Sequence, residues 1–169
     1  MAEIGWAERI AWVAVATGGA IGIAPCPGPA LEGDLAALGA AGASVLVTLM
    51  EGRGLVREGL SAAAIAEACA TAGLAWRHLP IADFDAPGTA FENAWETVGP
   101  GLGTVLAAGG RVCLHCRAGR GRSGLVAARL LIARGLAPAA AIARVRARRP
   151  GAIETAAQER WLRTILPGA

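Results

Sequence analysis

At 169 residues the chain is expected to fold as one compact domain over residues 1–169, long enough to bury roughly 70% of its unfolded surface. Its 54% hydrophobic content is rich in alanine, and the lack of lysine and tyrosine reads as base-composition bias without functional content. The net charge of +3 excludes a uniformly basic chain only when divided: residues 1–100 hold 4 arginines against 11 acidic residues, whereas residues 101–169 hold 12 arginines against 2. A positive half of this kind steers anions.

In chain order, apolar runs predict strands near 11–16 and 20–23, separated by Thr17-Gly18-Gly19 as a turn, then Cys26-Pro27-Gly28-Pro29 as a rigid turn. A helix is expected near 34–41, a buried strand over 44–49, and a helix over 61–71 that Gly73 stops. Residues 75–80 read as a strand. Thr89-Ala90-Phe91-Glu92 has the spacing of a capping box opening a helix to about Ala107. A short buried strand at 111–114, a glycine-rich loop and three further helices follow, the first with helical spacing from Leu125 to Arg134. Alternating helix and strand predict an α/β fold, a central, mostly parallel sheet flanked by helices. No repeat, linker or low-complexity tail marks a second domain.

The chemistry is concentrated in His115-Cys116-Arg117-Ala118-Gly119-Arg120-Gly121-Arg122-Ser123-Gly124. A strand before it and a helix after it set this loop at a helix N-terminus, where backbone N–H groups converge on an anion. Its glycines permit close backbone approach, and Arg122 can clamp two phosphate oxygens with a planar fork. Cys116 then lies under the phosphorus, in surroundings expected to hold it as a thiolate nucleophile. Two other patterns overlap the loop. Gly119 to Gly124 spells GxGxxG, but no acidic residue follows about 20 positions on, as a dinucleotide site needs. Cys113 and Cys116 form a CxxC without a second ligand pair, so no metal and no cofactor are expected, and Cys113 reads as a buried small hydrophobe.

These residues resemble the HCxxGxxR(S/T) signature of cysteine-dependent phosphatases, the protein-tyrosine and dual-specificity superfamily, with every fixed position matched. The resemblance implies dual-specificity phosphatase architecture and a phosphoric monoester hydrolase. By the same resemblance Cys116 forms a phosphocysteine intermediate, Arg122 binds substrate and transition-state charge, and Ser123 helps the sulfur leave. His115 would orient the loop from behind, and the segment Arg117, Ala118, Gly119, Arg120, Gly121 and Arg122 would bind the phosphate.

Breaking the phosphorus–oxygen bond calls for a general acid. Asp83 and Asp85 are the candidates, in a loop between a strand and the capped helix. Asp83 stands 33 residues before Cys116 and four before Pro87, the placement of the acid in family members, and is favoured; Asp85 also reads as a turn carboxylate. Looser likeness to the kinase-associated phosphatase branch and its bacterial relatives runs through Cys26-Pro27-Gly28, Val47 to Glu51, Pro80 to Asp83 and Arg148 to Gln158. Glu154 stands where large tyrosine-specific enzymes place a water-positioning glutamine, while Gln158 belongs to a capping box with Thr155. The deep-pocket tyrosine loop of those enzymes is missing, which implies a shallower pocket.

Phosphorylated protein is the expected partner, with phosphotyrosine leading. Arg117 and Arg120, at positions where a lipid-phosphatase relative carries lysines, keep phosphoinositides and inositol polyphosphates as an alternative, and a non-catalytic phosphate-binding pseudophosphatase is a third reading. The basic run Arg144 to Arg149 reads as a solvated helix end, so no nucleic acid is expected. Cysteines at 26, 69, 113 and 116 form no dense disulfide framework, and a working thiolate needs a reducing compartment, so a cytoplasmic address is expected. The apolar stretch 10–24 mimics a signal-peptide core, but Glu3 and Glu8 spoil the basic segment before it, and no stretch is expected to span a membrane.

Overall fold

Among the described residues five strands, β1 (Ala11–Ala14), β2 (Ala20–Ala24), β3 (Ala43–Thr48), β4 (Ala75–His78) and β5 (Arg111–His115), form one sheet in the order β1-β2-β5-β3-β4. The structure is a computed structural model describing residues 4–169; Glu3 lies outside the described residues. Only β1 runs antiparallel, joined to β2 by a turn through Gly18, so the sheet is mixed but mostly parallel, as expected. β5 is central, with partners on both sides, which is why its Val112-Cys113-Leu114 is continuously apolar rather than alternating. Register sets His115 level with Ala24 of β2 and Thr48 of β3. The chain that leaves β5 therefore emerges at the carboxyl ends of three strands, where open α/β sheets bind ligands.

Among the described residues seven α-helices flank the sheet: α1 (Leu31–Ala40), α2 (Gly52–Arg57), α3 (Ala62–Thr71), α4 (Thr89–Ala107), α5 (Gly121–Ala133), α6 (Pro138–Arg148) and α7 (Ala156–Arg163). α1 and α3 pack together beside β3 and β4, whereas α4 and α5 pack on β5, with α6 and α7 against α5. α5 is buried from Gly121 to Ile132, the deepest helix of the fold. Among the described residues no helix is long and apolar enough to cross a membrane.

Several boundaries differ from the sequence expectation, each for a local reason. α1 starts at Leu31 rather than Asp34, whose carboxylate instead accepts from the Gly28 amide at 2.9 Å. The expected capping box at Thr89 does not form: Gly88 is the cap and Thr89 already lies inside α4, so its hydroxyl makes no capping bond. Glu92 is free to accept from Trp161 Nε1 at 3.1 Å, tying α4 to α7. The second capping box does form, with Thr155 Oγ1 accepting from the Gln158 amide and Gln158 Oε1 from the Thr155 amide. α2 has no counterpart in the sequence reading, since two glycines in six residues give it little intrinsic helix propensity. α5 opens at Gly121, four residues before the periodicity at Leu125, which brings Arg122 and Ser123 into its first turn.

Candidate active site

The loop between β5 and α5 is held from outside by its carbonyls. Arg117 O accepts from the Cys26 amide at 3.0 Å, and Arg120 O from the Ile153 amide at 3.2 Å. Arg149 bridges the two between them, donating from Nε to Gly119 O at 2.7 Å and from Nη2 to Ala118 O at 3.1 Å. With four consecutive carbonyls engaged outward, the amides turn the other way. Among the described residues, none of the amides from Arg117 to Arg122 donates to another protein group. Six such donors at the start of a buried helix make a nest for an anion. Gly119 is indispensable here: its φ is +66°, and a Cβ would meet Ala24 and Pro25 backbone atoms at 2.5 Å.

Cys116 lies at the base of this nest, 3% exposed, with Sγ 3.3 Å from Ser123 Oγ. His115 is fully buried behind it, its Nε2 2.8 Å from Thr48 Oγ1, which also accepts from Trp76 Nε1 at 2.9 Å. Burial pushes the His115 imidazole down to about 3, so at neutral pH it is an uncharged strut between β5 and β3. Arg122 reaches across from α5: Nη1 donates to Ile81 O at 3.2 Å, Nη2 pairs with Asp83 Oδ1 at 3.1 Å, and the buried Nε has no partner. That leaves Nε free, and the Nε/Nη2 edge can take two oxygens of a tetrahedral anion once Asp83 yields Nη2.

Asp83 also accepts from the amide of Phe84, a residue with φ of +61° that is 60% exposed. A bulky residue in the left-handed region carries strain, and Ile153, beside Glu154 in sequence, has the same φ. Each precedes or follows an acid, for Asp83, Phe84 and Glu154 line one cavity of about 100 Å³ with Cys116, Ala118 and Arg122. Asp85 does not line this cavity; its carbonyl accepts from Gln158 Nε2 at 3.3 Å. Gln158 is thereby spent on structure, since its Oε1 also caps α7. A second cavity, of about 480 Å³, adjoins the nest and is lined by Arg53, Arg57 and Glu58 of the α2 region together with Arg117, Arg122 and Asp83. Arg117 pairs with Glu58 at 3.1 Å in this second cavity, whereas Arg120 is exposed and lines neither.

All four cysteines are free. Burial, followed by Glu58 and Cys116, pushes the Cys26 thiol up to about 12, and burial pushes Cys69 up to about 11 and Cys113 higher still. These three are protonated at neutral pH. No group of three His, Cys, Asp or Glu side chains suited to a metal occurs among the described residues. The basic run 144–149 is partly spent inside the fold: Arg146 binds Ala152 O, Ile153 O and Glu159, Arg148 binds Trp12 O, and Arg149 binds the nest. The sequence reading missed Arg149 and the α2 arginines. The available signal for the first was an arginine directly before Pro150, at the C-cap of α6.

The family profile Tc-R-P, described as polymorphic toxin system, DSP-PTPase phosphatase, matches residues 24–136. No curated protein is significantly similar in sequence. Among solved structures, kinase-associated phosphatase (KAP) with its catalytic-site cysteine replaced by serine is 24% identical at a TM-score of 0.81, over 95% of this chain and 94% of its own. Tk-PTP in its active form is 26% identical at 0.71, over 94% and 98%. PTPMT1 in complex with PI(5)P is 18% identical at 0.71, over 91% and 93%. The likeness to KAP and to PTPMT1 is one of fold.

Proposed function

Because the chain belongs to the DSP-PTPase phosphatase family of polymorphic toxin systems, we propose that it is an active phosphoric monoester hydrolase working through a phosphocysteine intermediate. The observation that carries this reading is Cys116 beneath six unspent amides, with the Arg122 fork beside it. The Cys116 thiolate attacks phosphorus while the six amides and the Nε/Nη2 edge of Arg122 hold the non-bridging oxygens. As the phosphorus–oxygen bond breaks, Asp83 gives its proton to the leaving oxygen. Water then attacks the phosphocysteine and yields its proton to the Asp83 carboxylate, and the thiolate departs with a hydrogen bond from Ser123 Oγ. No metal or cofactor enters this scheme.

The substrate class we propose is phosphorylated protein, phosphotyrosine first and phosphoserine or phosphothreonine beside it. The single catalytic domain spans residues 1–169, and the reducing cytoplasm suits a nucleophile accompanied by three other free thiols. A second reading, a phosphoinositide or inositol polyphosphate, is favoured by one observation, the arginine-lined cavity beside the nest. Replacing Cys116 by serine tests the mechanism: turnover of a phosphotyrosine peptide should vanish while vanadate binding persists. Turnover at the wild-type rate in Cys116→Ser would overturn it.

A further inference from the structure

Behind the nest, Trp76, Thr48 and His115 form a hydrogen-bonded chain that the scheme above leaves without a task. Register sets His115 of β5, Thr48 of β3 and His78 of β4 in one row across the sheet, so their side chains share a face. Trp76, two residues before His78 on the edge strand β4, lies on that face and stacks on the His78 ring at 5.5 Å. Its Nε1 is 2.9 Å from Thr48 Oγ1, and Oγ1 is 2.8 Å from His115 Nε2. Thr48 and His115 are both fully buried.

The chemistry of the groups gives this chain a direction. An indole nitrogen only donates, so Thr48 Oγ1 accepts from Trp76. Oγ1 has one proton of its own, shut away from water, and among the described residues His115 Nε2 is its only other partner. Thr48 therefore donates to Nε2. That nitrogen is then the bare one of a neutral ring, and the ring proton sits on Nδ1. Nδ1 is buried and makes no fully formed hydrogen bond, yet the Cys116 backbone favours the protonated ring, as a nearby carbonyl does. Among the described residues no other backbone donor meets Cys116 O. Cys116 O shares a planar peptide with the Arg117 amide, and the two point opposite ways. A carbonyl drawn back toward His115 thus turns the Arg117 N–H forward, as the first of the six unspent donors. The engaged carbonyls of Arg117 to Arg120 aim only the amides that follow them, so the Arg117 amide needs a hold of its own.

We propose that Thr48 and Trp76 are positioning residues of the nest: they hold His115 with its proton on Nδ1, so that Cys116 O is drawn back and the Arg117 amide is aimed at the anion. The proposal rests on the phosphatase reading only through the anion that the loop binds, so binding tests it apart from turnover. Long-range nitrogen–proton NMR of the histidine side chains reads the tautomer, and the wild-type chain at neutral pH should show the His115 proton on Nδ1. Thr48→Val keeps the shape and removes the hydroxyl. It should weaken vanadate binding and kcat/KM on a phosphotyrosine peptide together, by about tenfold, the scale of one buried hydrogen bond, and shift the Arg117 amide resonance. Thr48→Ser, which retains the donor, should restore both. Trp76→Phe keeps the stack on His78 and should lose less, in the same two quantities; if Thr48→Val does not fold, this variant and the wild-type tautomer decide. A His115 proton on Nε2, unchanged vanadate affinity in Thr48→Val or Trp76→Phe, or a Thr48→Ser as impaired as Thr48→Val would overturn the proposal and leave the phosphatase reading intact. Wild-type protein that shows the expected tautomer and vanadate losses but no turnover would overturn that reading and leave the brace standing.

Discussion

Asp83 and Arg122 form a 3.1 Å ion pair in which the two partners meet solvent unequally, the aspartate side chain 43% exposed and the arginine 5%. Arg122 is fixed from below by Ile81 O, two residues before the acid, so one side chain holds both the phosphate edge and the start of the acid loop. A phosphate dianion in the nest competes for Nη2 with twice the charge of the aspartate. It would displace Asp83 toward the outer side of the cavity, where a leaving oxygen emerges.

From that exchange follows a leaving-group signature. Asp83→Asn should slow alkyl phosphates and other poor leaving groups by about a hundred- to ten-thousand-fold, and an activated aryl phosphate far less. Asp85→Asn should leave both rates close to wild type, because Asp85 lines no cavity of the site. The slope of log kcat/KM against leaving-group pKa is the measurement. A steepened slope in Asp85→Asn instead of Asp83→Asn would reassign the acid.

His115 makes a prediction about acid stability. Its folded pKa, near 3, lies below the ordinary value of 6.5, so the folded state binds fewer protons than the unfolded one between these limits. Above pH 6.5 the histidine is neutral in both states and costs nothing; as pH falls toward 3 the unfolded chain takes up a proton that the folded chain refuses, and stability is lost. Tm should therefore decline more steeply between pH 6.5 and 4 in wild type than in His115→Asn. Parallel declines would show that His115 is not held neutral by burial.

Sheet and nest were legible in the sequence because both are written locally. The apolar run of β5 and the glycines after it need no knowledge of the rest of the chain. The position of Asp83 beside Arg122 agrees with its spacing to Cys116 and Pro87. What escaped depends on contacts distant in sequence: Arg149 reaches back about thirty residues to Ala118 and Gly119, and Thr48 meets His115 across 67 positions. The Thr89 capping box failed for a different reason. Its four residues have the right spacing, but aromatic packing of Phe91 on Trp95 and Trp161 accompanies a start one residue earlier.

Arg149 is a positioning residue whose loss should be felt at the phosphate. Arg149→Met removes the donors to Gly119 O and Ala118 O and leaves two outward-facing carbonyls free to rotate inward. A loss of about ten- to a hundredfold in kcat/KM is expected, the scale of hydrogen bonds to a charged group. Vanadate affinity should weaken in proportion, while the leaving-group slope set by Asp83 stays unchanged. Normal vanadate binding in this variant would mean that the nest holds its shape without the brace.

Substrate charge can be read from the second cavity. Arg117 is tied there to Glu58 by an exposed pair, 67% and 33% exposed, of a kind worth about 0–1 kcal/mol, so a second phosphate of the substrate can take the guanidinium from the carboxylate. Arg53 and Arg57 flank the same space, whereas Arg120 does not reach it. If a multiply phosphorylated inositol is the substrate, Arg53→Gln with Arg57→Gln should cut its turnover about tenfold more than that of a monophosphorylated tyrosine peptide. Glu58→Gln should raise the inositol rate, and Arg120→Gln should affect both substrates alike. Raising ionic strength should close the gap, because the α2 arginines are solvent-exposed and their field is screened within about 8–10 Å at 0.1–0.15 M salt. Equal losses on both substrates at every salt concentration would reject the polyanion reading and leave phosphoprotein as the substrate class.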